Sequence, residues 1–470
     1  MPLLDPATAA ALRGALDRAG YNAQRLEEVL GTKRYSQLTE RRANVLAHRV
    51  GGDALGTLVR LFLLALAVGE PEVAGAFAPL DSRELESCGL LARDGESLRS
   101  RVRVTPFEDL LVASDHDPRG PVAHDYVPGL NNAAQTMAAL LIRRPCREAL
   151  DVGTGCGVQA LIAARYSDHV VATDVNSRAL EYGRLGAALN GFENIDWREG
   201  SLFDPIRGER FDSLFCNAPF VVSPDVELDF RDSDLPRDSF CEQLVRESSQ
   251  HLTENGIAQL LISWALSPAA KWSDPLRRWT EGSDCDAWLL RYDVVDPVRH
   301  TDMWTREVPP GELSAIFSRW LTYLTREQIE RVGYGAVFLR RHDGQNWMRA
   351  DELPPGPLRP ATEHVLRVMA NQDVLVRDGD ESLSQRPLRL VEDAVLREWR
   401  RPGPDGWRAV RTALYLTSGL RFRVEIEPAV ADYLGTLGGA NEVEVEPEFR
   451  PTIRRLAELG FLDVGEPGKI

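Results

Sequence analysis

The feature that most constrains the fold is a glycine-rich turn between two apolar segments. The stretch "EALDVGTGCGVQALIAARY" begins at Glu148, and its pattern predicts a strand, a loop over Asp151–Gly157 and then a helix. Glycine allows the backbone to turn sharply and to approach a ligand closely. The first turn of the following helix presents unpaired N–H groups and a partial positive charge, which suit a carboxylate or a phosphate. The segment therefore predicts a strand–loop–helix unit that binds a ligand at its loop.

Strand and helix patterns alternate from about residue 115 to about residue 345, which predicts a mainly parallel α/β sheet. A long aromatic-rich insertion separates the last two strands, and we expect these two to pair antiparallel at one side of the sheet. The seven predicted strands are Glu148–Gly153, His169–Asp174, Ile195–Ser201, Phe211–Asn217, Ile257–Trp264, Ala287–Asp293 and Tyr334–Arg341.

An acidic residue ends the strand that follows the glycine loop. "HVVATD" terminates at Asp174, about 20 residues after the loop, where a carboxylate accepts hydrogen bonds from ribose hydroxyls. Open α/β sheets bind ligands at the carboxyl ends of such neighbouring strands. The spacing D-x-G-x-G-x-G lacks the extra spacer of a dinucleotide fingerprint, which disfavours a dehydrogenase. A tight turn with a capping aspartate and no ligand is the structural alternative.

A second motif ends the strand in "FDSLFCNAPFVVSP", residues 211–224. The side-chain oxygen of Asn217 and the carbonyl of Ala218 can accept the two N–H groups of a planar amide or amine. They would aim that nitrogen and favour the charge that develops on it during a displacement reaction. Phe220, after Pro219, can lie flat against the planar group. In the alternative interpretation, Asn217 only satisfies backbone groups at the strand end.

Together these motifs resemble the class I S-adenosylmethionine (SAM)-dependent methyltransferases, closely over residues 120–265 and more loosely over 266–345. The resemblance implies a Rossmann-like, seven-stranded α/β domain and SAM as cofactor, with S-adenosyl-L-homocysteine as product. It implies that Asp174 holds the ribose and that Val175 and Asn176 flank the adenine. The residues that it places against the methionine part of SAM are Asp151, Gly153, Thr154, Gly155 and Gly157.

The strand-end motif is similar to the N-P-P-[Y/F] motif of methyltransferases that modify planar nitrogens, and "NAPFVVSP" resembles the glutamine-methylating branch and its relatives. Asn217 is then expected to border the cofactor as well as the acceptor. Ala218 replaces a proline of the motif but keeps the carbonyl acceptor, and its position before Pro219 favours extended geometry. Ser201 replaces an aspartate that the family often has, which weakens the adenine contact or moves it to the backbone of Leu202.

The flanking regions predict three further segments around the central domain at 115–348. Residues 1–114 read as helices followed by a hairpin, which predicts a winged-helix-like unit that reads a nucleic acid or a partner, or that packs against the enzyme domain. The proline-rich residues 349–363 predict a linker. Residues 364–470 mix strands and helices and predict an α+β accessory domain.

Charge and composition bear on the partners. The formal net charge of −16 disfavours nucleic acid, although a local basic patch stays open. All but three of the 55 basic residues are arginine, which indicates a GC-rich, bacterial genome. A loop after the strand-end motif carries acidic residues that attract a cationic substrate, repel nucleic acid or are simply solvated, namely Asp225, Glu227, Asp229, Asp232 and Asp234.

Cysteine and histidine patterns predict neither a metal site nor a disulfide framework. The six cysteines form no C-x-x-C pair, and the eight histidines, which include His116 and His124, show no H-x-x-x-H spacing. The start of the chain does not resemble a signal peptide, and the longest apolar run, residues 58–68, is too short to span a bilayer. We therefore expect a cytoplasmic protein with no membrane partner.

The sequence thus predicts a SAM-dependent N-methyltransferase that acts on a protein glutamine or a ribosomal RNA base. A small-molecule methyltransferase of specialised metabolism is one alternative. A domain that binds SAM as a sensor or scaffold without catalysis is another, because Ala218 and Ser201 depart from the family pattern. The acceptor and the oligomeric state stay open.

Overall fold

The computed structural model describes residues 4–31, 40–118, 122–225, 228, 230–231, 235–305, 308, 310–379, 382–404, 406–437 and 445–465. None of the helices over these residues is both long enough and apolar enough to cross a bilayer.

The N-terminal unit combines helices with a small antiparallel sheet of order β1-β3-β2. From α4 to β3 the order is helix, strand, two helices and hairpin, and the winged-helix-like character of this unit stays a prediction. Aspartates start several of these helices, since Asp5, Asp53 and Asp81 accept hydrogen bonds from N–H groups of the first turn. The elements are α1 (Pro6–Arg18), α2 (Ala23–Leu30), α3 (Glu40–Ala47), α4 (Ala54–Phe62), β1 (Val68–Gly69), α5 (Glu70–Phe77), α6 (Ser82–Ser87), β2 (Leu91–Asp94), β3 (Ser97–Ser100), β4 (Arg103–Phe107) and β5 (Leu110–Ser114).

The central unit is built on a large mixed sheet. Its elements are α7 (Asn132–Leu140), β6 (Cys146–Val152), α8 (Val158–Ala163), β7 (Ser167–Asp174), α9 (Ser177–Asn190), β8 (Ile195–Glu199), β9 (Phe211–Asn217), α10 (Ser239–Ser248), β10 (Leu252–Leu266), α11 (Asp274–Thr280), β11 (Cys285–Val295), α12 (Pro297–Trp304), α13 (Pro310–Arg326), β12 (Arg331–Arg341) and β13 (Met348–Glu352). All seven predicted strands overlap observed ones, and β11 and β12 pair antiparallel as expected.

The sheet order is β13-β11-β12-β10-β9-β6-β7-β8, so the sheet has eight strands rather than the predicted seven. The eighth, β13, pairs parallel with β11. Four of its five residues fall in the predicted linker over 349–363, because Met348–Glu352, with three charged residues, carries little apolar alternation. The predicted linker therefore begins inside a strand, and it ends inside the next helix, which starts at Thr362.

Side-chain alternation along the strands separates two apolar cores. On β6 and β9, Leu150 and Leu214 join one core, while Ala149 and Phe215 join the other. Successive side chains of a strand point to opposite faces, so a sheet covered on both sides reads as a nearly continuous apolar run. The core on the side of α7 and α8 continues into both terminal units. The side chains of Asp151 and Asn217 lie on this same face of the sheet, two residues beyond Ala149 and Phe215.

The C-terminal unit contains two small antiparallel sheets, β14-β18 and β15-β16-β17. It packs on the central unit, where Ala361 N–H donates to the carbonyl of Ala139 (2.9 Å) and Phe422 contacts Trp288. The elements are α14 (Thr362–Asp378), α15 (Ser382–Gln385), β14 (Leu388–Leu390), β15 (Ala394–Gly403), β16 (Gly406–Leu416), β17 (Arg423–Glu425), α16 (Pro428–Thr436), α17 (Arg450–Glu458) and β18 (Leu462–Val464).

Close strand packing at Gly335 generates a prediction about stability. A Cβ at this position would lie 1.9 Å from the carbonyl oxygen of Leu290 and 2.9 Å from the ring of Trp264. Gly335→Ala must therefore push β12 away from its neighbours, and we expect a loss of about 1–3 kcal/mol in the free energy of unfolding. Urea unfolding followed by tryptophan fluorescence measures it. Gly311→Ala in α13, where an added Cβ meets no atom within 4 Å, is the matched control. Equal midpoints for the two variants would contradict this packing.

Candidate active site

Strand register brings the predicted site residues to one edge of the sheet. Val152 pairs with Thr173 on β7 and with Cys216 on β9. The next residues on the three parallel strands, Gly153, Asp174 and Asn217, therefore emerge side by side, at about 5 Å from one strand to the next. The chain runs outward to β7 and β8 on one side of β6 and to β9 and β10 on the other. The edge is thus a topological switch point, where open α/β sheets bind ligands.

The glycine loop has a conformation that requires glycine. Gly153, Gly155 and Gly157 have φ values of 67°, 54° and 81°, which side chains with a Cβ rarely adopt. A Cβ on Gly153 or Gly155 would meet no atom within 4 Å, so these two glycines border open space. A Cβ on Gly157 would lie 3.0 Å from the Cα of Gly183 and 3.1 Å from the ring of Trp197. The first two glycines leave room for a ligand, and the third allows close packing of the loop against α9.

Asp151 braces this loop from inside the protein. Its side chain is buried, and its Oδ2 accepts hydrogen bonds from the Thr154 hydroxyl (2.6 Å) and from the Ala160 N–H (3.0 Å). Burial raises the pKa of this carboxyl to about 7. The predicted contact of Asp151 with a ligand stays a prediction, whereas its contacts fix Thr154, itself buried, and the start of α8.

Asp174 fastens the loop to the next strand. One carboxylate oxygen accepts from the Gly155 N–H (2.8 Å) and the other from the Asn176 N–H (2.9 Å). A carboxylate has about four acceptor positions, so these two backbone bonds account for at least half of them. The carboxylate is half-buried at the end of β7, within reach of the open side of the glycine loop.

The residues predicted beside the adenine have different surroundings. Val175 is 53% exposed, so an apolar side chain stands at the strand end with little protein over it. Asn176 is buried, caps α9 through Arg178 N–H (3.0 Å) and donates to the carbonyl of Asp125 (2.9 Å), so its side chain has a structural role. Ser201 is exposed, and Leu202 follows it with φ 45°.

Asn217 carries the most informative polar atom of the site. Its Oδ1 is buried and accepts no hydrogen bond from any described residue. Leaving a buried acceptor unsatisfied costs about 1–3 kcal/mol, which is why most such atoms in proteins are paired. A donor from a ligand would pair this oxygen, whereas the alternative in which Asn217 only satisfies backbone groups leaves it unpaired among the described residues.

Ala218 to Phe220 turn the chain beside Asn217. Ala218 is buried and its N–H donates to the carbonyl of Leu261 (3.3 Å), while Pro219 is half-buried. The hydroxyl of Ser263 donates to the carbonyl of Phe220. The ring of Phe220 meets Trp304 and Tyr334 edge to face, at centroid distances of 5.9 and 6.3 Å.

A buried hydrogen-bonded relay holds these aromatic partners. The His300 Nε2 lies 2.8 Å from the carbonyl of Val222, which can only accept, so this nitrogen carries the proton. The Nδ1 then accepts from the Tyr334 hydroxyl (2.5 Å), which in turn accepts from the indole N–H of Trp304 (2.9 Å). Burial lowers the pKa of His300 to about 4, so the ring is neutral near pH 7. We call Phe220, His300, Trp304 and Tyr334 the aromatic wall.

Sequence reasoning assigned no role to the three downstream members of the aromatic wall. The available signal was the aromatic-rich insertion between β11 and β12, which bears His300 and Trp304. Nothing in its local pattern indicates that it folds back onto a motif some 80 residues earlier.

The comparisons with known families address this central unit directly. Residues 128–271 match the family model described as "Methyltransferase small domain". We refer to residues 128–271 by the name of this family model, the methyltransferase small domain. Residues 18–101, within the N-terminal unit, match a family described as a domain of unknown function.

Several curated proteins are similar to parts of the chain. A release factor glutamine methyltransferase from Geobacter sulfurreducens is 28% identical over 175 residues, 35% of this chain and 58% of that protein. The ribosomal RNA small subunit methyltransferase C of Escherichia coli is 30% identical over 137 residues, 29% of this chain and 36% of that protein. A release factor glutamine methyltransferase from Xylella fastidiosa is 36% identical over 84 residues, 17% of this chain and 30% of that protein. The chain thus spans from 30% to 58% of the length of these relatives.

A segment before α7, which includes Asp125 and Tyr126, packs against the methyltransferase small domain. The carbonyl of Asp125 accepts from Asn176 and from Arg178 (3.0 Å), and Arg178 also pairs with Asp115 (2.6 Å). Tyr126 contacts Phe230 edge to face at 5.7 Å. Asn131 caps α7, because its side-chain oxygen accepts from the Ala134 N–H (2.8 Å).

Of the acidic loop, the structure describes Asp225, while Glu227, Asp229, Asp232 and Asp234 lie outside the described residues. Asp225 accepts from Arg319 (2.5 Å) and from the indole N–H of Trp320 (2.8 Å). It therefore fastens the loop to α13 and is not available to attract a cationic substrate.

One group of possible metal ligands occurs in the described part of the chain, away from the strand-end motifs. Ligand atoms of Asp286, His342 and Asp373 lie within 4.8 Å of one another. The guanidinium of Arg340 donates to both carboxylates, with 2.8 Å to Asp286 and 2.9 Å to Asp373. This cation already balances the carboxylate charge, so we assign no metal there.

The buried Asp151 generates a prediction about pH. Between its ordinary pKa of 3.8 and about 7, the folded protein keeps a proton on Asp151 that the unfolded chain releases. This group therefore makes the folded state less stable as the pH rises through that window. Asp151→Asn keeps an oxygen acceptor without a charge, so we expect its thermal midpoint to rise relative to wild type between pH 4 and 7.

Thermal unfolding at several pH values, without added cofactor, measures this difference. The exposed Asp168→Asn is the matched control and should show no such trend. A constant difference between Asp151→Asn and wild type across the window would show that the carboxyl titrates in the folded protein as it does in the unfolded chain.

Proposed function

We propose that this protein is a SAM-dependent N-methyltransferase that acts on a planar amide or exocyclic amino nitrogen. The observation that carries the proposal is the buried, unpartnered Oδ1 of Asn217 at the edge of the methyltransferase small domain. An acceptor nitrogen with two N–H groups would satisfy this atom and the carbonyl of Ala218 together. The cytoplasmic location expected from the cysteine pattern stays a prediction.

The residues at the sheet edge fit SAM in their chemistry. Gly153 and Gly155 border open space, and the carboxylate of Asp174 at the end of β7 is an acceptor of the kind that binds ribose hydroxyls. The exposed Val175 offers an apolar surface for one face of an adenine. Ser201 and the backbone of Leu202 are proposed to contact the adenine edge. When bound, SAM supplies a methyl group on a sulfonium, which is reactive toward nitrogen without further activation.

The chain's own contribution to the reaction would be positioning. Asn217 and the Ala218 carbonyl hold the acceptor nitrogen by its two N–H groups, which fixes its direction of approach. Both acceptors also favour the positive charge that develops on the nitrogen. The other members of the aromatic wall keep Phe220 in one orientation. One face of the half-buried Phe220 ring can then lie against the planar acceptor.

The chemistry of the site restricts the acceptor to a planar nitrogen but does not identify the molecule that carries it. The relatives are named for a glutamine and for a ribosomal RNA acceptor, and both contain planar nitrogens. A small-molecule acceptor and a SAM-binding sensor stay as alternatives. Label transfer from methyl-labelled SAM into an extract of cells lacking this gene, separated into protein, RNA and small-molecule fractions, distinguishes all of these. Strong SAM binding with no label in any fraction favours the sensor.

Removing the Asn217 oxygen should impair turnover and leave cofactor binding intact. We expect Asn217→Ala to lower the initial rate of label transfer by about 10²–10³-fold, as the loss of one preorganised partner in an active site does. Asn217→Asp keeps an acceptor oxygen and should retain more activity than the alanine variant. Rates come from the labelled fraction, and SAM dissociation constants come from calorimetry.

As a matched control, Asn22→Ala removes an asparagine that caps α2 in the N-terminal unit. It should transfer label at the wild-type rate. An Asn217→Ala protein with the wild-type rate would refute the positioning role. A parallel loss of SAM affinity would reassign Asn217 to the cofactor alone.

Removing a carboxylate oxygen from Asp174 should weaken cofactor binding. Hydrogen bonds to a charged group are worth about 1.5–3 kcal/mol, so Asp174→Asn should raise the SAM dissociation constant roughly 10- to 150-fold. Calorimetry with SAM and with a nicotinamide dinucleotide, on wild type and variant, measures this. The half-exposed Asp196→Asn at the sheet edge is the control. Tighter binding of the dinucleotide by wild type would favour a dehydrogenase instead.

A further inference from the structure

The C-terminal unit carries an exposed hairpin, β15 and β16, which we call the basic hairpin (residues 394–416). Residues 395–402 are all exposed. The sequence of the hairpin contains five arginines and two acidic residues, in a chain whose net charge is −16. Positive charge is thus concentrated on one projecting element of an otherwise acidic protein.

Two arginines of the basic hairpin face each other without a counter-charge. Arg401 pairs directly with Arg408 across the two strands. Like charges in directly opposite positions destabilise a strand pair. Within the described part of the chain, neither guanidinium has a carboxylate partner, whereas Arg400 and Arg411 are paired with Glu398 and Glu425. Two adjacent guanidinium groups without carboxylate partners favour the binding of an external anion near the end of the hairpin.

Flat aromatic surfaces lie between these cations. Trp407, next to Arg408 and paired with Pro402, is 68% exposed. Arg411 lies over the ring of Trp399 at 4.8 Å, and Arg397 lies over the ring of Tyr415 at 4.9 Å. Arginines interleaved with exposed aromatic rings combine attraction to phosphate with platforms on which bases stack.

We propose that the basic hairpin binds single-stranded RNA and so presents a base amine to the site at Asn217. The inference rests on the proposed N-methyltransferase function and selects RNA among its acceptors. The stacked cations and rings run along the strands of the hairpin, as a nucleotide chain requires.

RNA binding by the full-length protein tests the proposal without any dependence on catalysis. The probe is a short fluorescein-labelled single-stranded RNA, titrated without SAM at several salt concentrations. Arg401→Ser/Arg408→Ser removes two phosphate contacts, so the slope of log K against log salt should become shallower by roughly 1.4. Trp407→Ala removes a stacking platform and should weaken binding roughly 5- to 150-fold.

Arg207→Ser/Arg278→Ser is the control for charge, since both arginines are exposed on the central unit. It should bind RNA like wild type. Unchanged RNA binding in both hairpin variants overturns the proposal, and so does equal or tighter binding of the matching single-stranded DNA. Hairpin-dependent binding to phosphatidylserine vesicles, without RNA binding, reassigns the hairpin to a membrane and also overturns it.

Label transfer separates this inference from the proposed function. Label in the RNA fraction that is lost in the hairpin variants supports the delivery of RNA to Asn217. Label confined to the protein or small-molecule fraction overturns the inference and leaves an N-methyltransferase. Absence of label from every fraction, with RNA binding intact, is a failure of the proposed function and not of the hairpin.

Discussion

The parallel register of β6, β7 and β9 is the constraint on which the site depends. Pairing of Val152 with Thr173 and Cys216 sets three strand ends level, so that a glycine loop, a carboxylate and a carboxamide meet at one edge. A shift of one residue in any of these strands would turn its apolar side chains to the opposite face and disrupt both cores. The same packing that stabilises the sheet therefore fixes the spacing between the proposed cofactor and acceptor groups.

Polar groups at this edge divide into those that hold the structure and those that stay available. Asp151 and Asn176 are both buried. Asp151 is hydrogen-bonded to the glycine loop, and Asn176 is hydrogen-bonded to α9 and to the segment before α7. Asp174 shares its carboxylate with two backbone N–H groups. Asn217 keeps a buried oxygen that has no donor among the described residues. The presence or absence of hydrogen-bond partners within the described protein therefore distinguishes structural residues from site residues more clearly than residue type does.

Elements that lie outside the methyltransferase small domain in the sequence contribute side chains and charge around it. The insertion of α12 and α13 supplies His300 and Trp304, whose relay through Tyr334 fixes the orientation of Phe220. The C-terminal unit contributes a basic surface, the basic hairpin, although the total charge of the chain is negative. Bulk charge describes the average field of a protein, whereas recognition of a ligand depends on the local arrangement of charges.

The sequence by itself determined the strand–loop–helix unit at Asp151, the acid at Asp174 and the strand end at Asn217, because each depends on a local pattern of apolar run, glycine or proline. It did not determine β13, whose largely charged residues form a strand by pairing with β11. Nor did it determine that Asp151 is buried, that the Asn217 oxygen has no donor in the part of the chain that the structure describes, or that Arg401 faces Arg408. These features arise from pairing and burial between segments far apart in the chain, and only the tertiary structure brings those segments together.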